Sequence, residues 1–297
     1  MTRQRKAALA MGLSLLIATP GAVFGMKTAR SIPYARVSGV PLNLTSLDIY
    51  APDDAGPARR HPVMIFVHGG AWSKGDKSLV GFKPAAFTSR GYVFVSVNYR
   101  LTTSKIKFPV HAYDVAKAVG WVWRNGPLFG ADPKKLFMMG HSAGCHLAAV
   151  VADDQAYLAA EGLGLRAVKG VIDLDTAVYD LSLLAARNGG TLPSPYVETF
   201  GNDPADWVRA SPVSHVRAGR GIAPQLVAYS GSPVNPFIGF DFRREQAVLY
   251  ASALRGAGVK TRLLAAPLKT HAEINREFGI VGDPVTEACF AFLAGII

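Results

Sequence analysis

Gly140-His141-Ser142-Ala143-Gly144 follows the apolar run Leu136-Phe137-Met138-Met139 and precedes Cys145-His146-Leu147-Ala148-Ala149-Val150-Val151-Ala152. The first run, bounded upstream by the turn pair Asp132-Pro133, reads as a short strand, and the second as a buried helix. A G-x-S-x-G pentapeptide at a strand-to-helix junction predicts a nucleophile elbow, with the serine hydroxyl held at the tip of a sheet above a helix N-terminus. Positions 140 and 144 need glycine because a side chain there would collide with the neighbouring strand or helix. The pentapeptide alone also occurs in ordinary loops, so its setting carries the reading.

A second motif lies upstream. Val63-Met64-Ile65-Phe66-Val67 is a continuous apolar run, and His68-Gly69-Gly70-Ala71-Trp72 follows it directly. This matches an HGGG-type loop, whose small residues bring backbone N–H groups close to a substrate carbonyl oxygen. Both motifs in this order predict an acyl-transfer site with Ser142 as nucleophile. Trp72 reads equally as a pocket wall or as core.

A serine nucleophile needs a base, and the base needs an orienting acid. Of the seven histidines, His61 is expected to be exposed, His68 and His141 shape the two turns, His111 and His146 fall on helices, and His215 follows the Ser211-Pro212 turn. His271 lies past the late strand-like run, where the order Ser…Asp/Glu…His places the base. The acid is expected after the strand ending near Ser230, yet Gly231 to Pro236 contains no carboxylate. Asp241 is the first choice, although it also suits the N-cap of the next helix. Asp175 or Asp173 is the second, followed by Glu245 or a dyad without acid. Arg100 and Asp114 read as a buried ion pair beneath the site.

The 297 residues are enough for one large domain. Strand-like runs at 46–50, 63–67, 92–97, 136–139, 168–174, 225–229 and 261–265 alternate with helical segments near 82–90, 110–125, 143–152, 242–256 and 284–295. That rhythm predicts an α/β fold, a mostly parallel sheet with helices on both faces. The domain is expected to occupy residues 30–297, with a small cap or excursion around 188–212. Residues 1–25 carry a basic start and then an apolar stretch broken at Pro20-Gly21, the plan of a signal peptide. Export to the periplasm or exterior is therefore expected, with an uncleaved membrane anchor as the alternative.

The net charge of +11 includes three basic residues in that segment. The remaining lysines and arginines are scattered, which gives no support for nucleic-acid binding. Cys145 and Cys289 read as buried small hydrophobes, and no His or Cys spacing resembles a metal site. No metal and no organic cofactor is expected, nor stable membrane insertion once the signal is removed. Oligomeric state is not legible.

The two glycine motifs, with Leu47-Asp48-Ile49-Tyr50, Asn98-Tyr99-Arg100-Leu101 and Lys269-Thr270-His271, resemble the α/β-hydrolase fold. The resemblance is to its carboxylesterases related to hormone-sensitive lipase and kynurenine formamidase, and it covers roughly residues 40 to 295. It implies a triad of Ser142, His271 and an acid, and an oxyanion hole from the N–H groups of Gly70, Ala71 and Ala143. The implied reaction is hydrolysis of a small-molecule ester through an acyl-enzyme. Relatives usually carry an aspartate two or three residues past the position of Gly231, where this chain has Pro233 and Val234. Arylformamide hydrolysis and a weakened fold that only binds a ligand are the alternatives.

Overall fold

The structure is a computed structural model that describes residues 25–231 and 239–296, without the side chains of 239–241. Eight strands form one sheet: β1 (Met26–Pro33), β2 (Ser46–Pro52), β3 (His61–Val67), β4 (Val93–Val97), β5 (Ala131–His141), β6 (Val168–Leu174), β7 (Gln225–Ser230) and β8 (Thr261–Ala266). Their spatial order is β1-β2-β4-β3-β5-β6-β7-β8. β2 pairs antiparallel with both β1 and β4, and every pair from β4/β3 to β7/β8 is parallel. The helices are α1 (Lys83–Thr88), α2 (Val110–Asn125), α3 (Ala143–Asp153), α4 (Gln155–Ala159), α5 (Leu181–Arg187), α6 (Tyr196–Phe200), α7 (Pro204–Ala210), α8 (Gly239–Gly256), α9 (Glu273–Arg276) and α10 (Pro284–Ala294). This is the α/β architecture that the alternation of strands and helices predicts, a mostly parallel sheet, and it agrees with the α/β-hydrolase fold that the resemblance implies. The strand-like segment left unread is β1, an edge strand whose residues are mostly exposed.

The period-2 alternation of the central strands divides the core in two. Val63, Ile65 and Val67 of β3 join Leu136 and Met138 of β5 in a cluster that includes residues of α2, α3 and α8. Met64 and Phe66, with Phe137 and Met139, face the other way, into a cluster with Phe87 of α1 and Cys289 and Leu293 of α10. Both faces of the sheet are thus dry. Each fully buried aliphatic side chain of this kind contributes roughly 1.5–3 kcal/mol.

The register brings the working ends of the strands to one level. Val67 pairs with Gly140, Gly140 with Asp173, and Leu174 with Ala228. The loop after β3, the turn after β5 and the residues after β6 and β7 therefore emerge side by side at the carboxyl edge of the sheet. Ligand sites of open parallel sheets form at that edge.

The segment 188–212 contains α6 and α7. Tyr196 and Phe200 of α6 pack edge-on against Trp72 at centroid distances of 5.6 and 4.9 Å. On the side of α3 remote from the elbow, Asp153, Gln225 and Tyr250 form a closed buried ring. Gln225 Nε2 donates to Asp153 Oδ1 (2.7 Å), and the Tyr250 hydroxyl lies 2.5 Å from Asp153 Oδ2 and 2.7 Å from Gln225 Oε1. Arg100 and Asp114 form the expected ion pair, a two-pronged contact with both N–O distances at 2.7 Å. Among the described residues no helix is long and apolar enough to cross a membrane. The N-terminal leader reading of residues 1–25 falls almost wholly outside the described residues.

Candidate active site

Ser142 follows β5 directly and stands at the N-cap of α3 with φ of 56° and ψ of −123°, a positive-φ backbone that a non-glycine residue adopts only where its surroundings enforce it. The flanking glycines show what enforces it. A Cβ on Gly140 would lie 2.1 Å from the Gly144 carbonyl oxygen, and one on Gly144 would lie 2.1 Å from that of Val67. Strand, turn and helix are therefore in backbone contact, and the serine side chain has only the sheet edge to project from.

The loop after β3 wraps over this turn. Gly70, Ala71 and Trp72 all have positive φ, at 125°, 49° and 58°. A Cβ on Gly70 would meet the Lys74 carbonyl oxygen at 2.2 Å. Neither Gly70, Ala71 nor Ala143 donates its N–H within the described residues, so three donors are left unused beside Ser142. The motif Asn98-Tyr99 supports the loop from below. Tyr99 donates its hydroxyl to the His68 carbonyl (3.0 Å), and Asn98 accepts from the Lys77 N–H (2.6 Å) while donating to Asp76 Oδ2 (2.9 Å). Burial pushes the Asp76 carboxyl up, but hydrogen bonds from Asn98, Ser78 and Asn43 outweigh it and hold the group ionised.

His271 follows β8 and reaches the serine. Its Nε2 is 3.0 Å from Ser142 Oγ and its Nδ1 is 2.7 Å from Asp175 Oδ2. A carboxylate can only accept, so the Nδ1 carries the imidazole proton and the Nε2 lone pair faces the serine hydroxyl. Asp175 is fully buried just past β6, at φ of 51°. Its Oδ1 accepts from the Ser230 N–H (3.1 Å) and its Oδ2 from the Ser230 hydroxyl (2.6 Å). Burial alone would raise its carboxyl, but the His271 hydrogen bond, the Arg243 charge and the Ser230 hydroxyl prevail and keep it ionised. Arg243 of α8 is also buried, with Nη1 3.0 Å from His271 Nδ1 and 3.5 Å from Asp175 Oδ2. His141 donates from Nε2 to the His271 carbonyl (2.8 Å) and is pushed down to about 3, by burial first and then by its neighbour His271.

The structure thus brings Ser142 and His271 together and places Asp175, the second choice of acid, and not the first choice Asp241, against His271 Nδ1 among the described side chains. Asp241 lies in the first turn of α8, and its side chain is outside the described residues. The His271 Nδ1 proton is committed to Asp175, because β6 ends beside β5 and the left-handed turn at Asp175 aims its carboxylate along the sheet edge. Asp173 sits two residues earlier inside the strand, with Oδ1 3.9 Å from Cys145 Sγ, and burial pushes its carboxyl well above the usual carboxylate range. Glu245 pairs with Arg187. Trp72 is core: its Nε1 donates to His146 Nδ1 (3.3 Å), and His146 donates from Nε2 to the Ala210 carbonyl (2.8 Å). His61 is half-buried, not exposed, with Nδ1 3.1 Å from the Gly91 carbonyl oxygen. Cys145 and Cys289 are buried free thiols.

Above Ser142 opens a cleft of ≈ 680 Å³ lined by the 68–75 loop, Phe66, Leu79, His141, Pro195, His271 and Asn275. Its volume suits a small molecule, and Pro195 brings the segment before α6 to its rim. Among the described residues no group of His, Cys, Asp and Glu side chains is arranged to hold a metal ion.

The BD-FAE protein family matches residues 47–226. Esterase LipQ of Mycobacterium tuberculosis is 32% identical over 274 residues, covering 84% of this chain and 59% of the relative. Carboxylesterase NlhH of the same organism is 30% identical over 242 residues, covering 79% of this chain and 73% of the relative. The chain therefore spans about three fifths of the length of LipQ and about three quarters of that of NlhH. Among solved structures, a thermophilic esterase of Thermogutta terrifontis with propionate bound aligns at a TM-score of 0.69 and 25% identity, covering 92% of this chain and 94% of that one.

Proposed function

The chain belongs to the BD-FAE family of α/β-hydrolase-fold esterases, and on that premise we propose that it is a serine hydrolase of small carboxylic esters acting through an acyl-enzyme. The observation that carries the reading is the continuous contact from Ser142 Oγ through His271 to Asp175. His271 Nε2 takes the hydroxyl proton as Ser142 attacks the ester carbonyl, while Asp175 stays ionised and holds the tautomer. The N–H groups of Gly70, Ala71 and Ala143 receive the oxyanion. His271 then protonates the leaving alcohol, and water releases the acid by the same route.

Phe66 and Leu79 give the cleft an apolar flank for the acyl group, and the Thermogutta terrifontis relative with propionate bound supports a short one. The reading as a fold that only binds a ligand rested on the carboxylate missing after β7, and the Asp175 contact with His271 supports the catalytic reading over it. The basic-then-apolar residues 1–25 support export, which fractionation of the expressing cells tests.

Ser142→Ala is expected to reduce hydrolysis of p-nitrophenyl butyrate to near background. Undiminished turnover overturns the assignment. The same preparation should show a higher kcat/KM on the short ester than on N-formylkynurenine, and the reverse order would make it an arylformamidase.

A further inference from the structure

We propose that Arg243 is a positioning residue of this site, one whose fixed charge holds Asp175 in place and opposes the build-up of positive charge on the His271 ring. The inference rests on the triad reading above. Its observation is geometric: a guanidinium nitrogen lies 3.0 Å from the very ring nitrogen that donates to Asp175. His271 Nδ1 has one proton, and Asp175 at 2.7 Å holds it, so Arg243 cannot also donate there. Two N–H groups face each other, and the contact is a fixed positive charge against the imidazole edge.

A lone carboxylate beside a histidine favours the imidazolium, which cannot accept the serine proton. A cation equally close opposes that preference, and a buried one is little screened by solvent or salt. Among the described side chains, the other groups around the pair do not reproduce the effect. His141 of β5 is neutral, Tyr196 of α6 lies within electrostatic range of the guanidinium but is uncharged, and Lys83 of α1 acts on His141 from behind. Lys83 itself is buried with Nζ 2.6 Å from the Asn275 carbonyl oxygen. Arg243 also reaches Asp175 Oδ2 at 3.5 Å, which helps hold that residue in its left-handed turn.

The full chain is titrated twice, by the pH dependence of kcat/KM on p-nitrophenyl butyrate and by NMR of the His271 imidazole. Arg243→Gln is expected to move the acid limb and the imidazole titration upward by about one pH unit, the scale of one close charge. Arg243→Lys, which keeps the charge, should move them by less than half as much. A purely structural role would lower the plateau without moving the limb. An unmoved or downward limb in Arg243→Gln, or equal shifts in the two variants, overturns the proposal. Should Arg243→Gln fail to fold, a shift above about half a unit in Arg243→Lys overturns it alone. The NMR titration needs no turnover, so a failure of the esterase reading in Ser142→Ala leaves this test standing.

Discussion

Asp175→Asn isolates the acid. The substitution keeps volume and shape but replaces one acceptor oxygen by an NH2 group. Asp175 Oδ2 accepts from both His271 Nδ1 and the Ser230 hydroxyl, and Oδ1 accepts from the Ser230 N–H. An asparagine whose carbonyl faces His271 must point its NH2 at the Ser230 N–H, donor against donor. Turned over, its NH2 faces Nδ1 and favours the tautomer that presents Nε2–H to Ser142, which cannot act as a base. Either choice is costly, and loss of the acid in such triads lowers kcat by about 10⁴. At about 1.4 kcal/mol per decade this is roughly 5 kcal/mol of transition-state stabilisation. The assay is kcat on p-nitrophenyl butyrate, with a melting curve to show that the variant folds and Asp241→Asn as the comparison. Retention of more than a tenth of wild-type kcat in Asp175→Asn, with a large loss in Asp241→Asn, would refute the assignment of the acid to β6.

Gly144→Ala inserts a Cβ 2.1 Å from the Val67 carbonyl oxygen. It should destabilise the chain by about 1–3 kcal/mol and lower kcat/KM at least about 100-fold by displacing the elbow. Fluorophosphonate labelling of Ser142 at the wild-type rate would contradict this. The Asp153 ring predicts a pH effect on stability. Tyr250 has one hydroxyl proton for two acceptors, Asp153 Oδ2 and Gln225 Oε1, so the ring closes without an orphan when Asp153 itself is protonated. Burial accordingly raises the Asp153 carboxyl to about 7 despite the Tyr250 and Gln225 hydrogen bonds. Because the folded value lies above the unfolded one, stability from this group is full below about pH 4 and is lost as pH rises towards 7, at up to about 1.4 kcal/mol per pH unit. In denaturant titrations Asp153→Asn should remove that slope, and an unchanged slope would contradict the ring as drawn.

The central strands and long helices were legible because each is a local pattern. The apolar run at 168–174 coincides with β6, and those at 63–67 and 136–139 lie inside β3 and β5, although β5 begins at Ala131 and runs through the Asp132-Pro133 pair read as a turn; the elbow and the His68 loop sit at strand ends as their glycines require. β1 has no such pattern, since most of its residues face solvent and backbone pairing with β2 holds it. Asp175 ranked only second among the candidate acids for a different reason. Which carboxylate meets His271 depends on how far β6 projects beside β5 and on a left-handed turn at Asp175, and neither is written in neighbouring residues. Arg243 gave no signal, being one basic residue among several in α8. Lys77 and Lys83 are buried through contacts with Asn43 and with the Asn275 carbonyl oxygen, distant in sequence.

The level register of the strand ends has a consequence for how such sites diverge. Adjacent parallel strands lie about 4.8 Å apart, so carboxylates rooted at the ends of β6 and β7 are alternative anchors for one imidazole. Ser230, which closes β7, donates to Asp175 twice and marks how near the two roots are. An acid at the end of either strand can therefore meet the same imidazole nitrogen. The chemistry fixes where the carboxylate sits in space, not its position along the chain. Looking for the acid on one strand alone would therefore miss a chain whose carboxylate is rooted on the neighbouring strand, as Asp175 is.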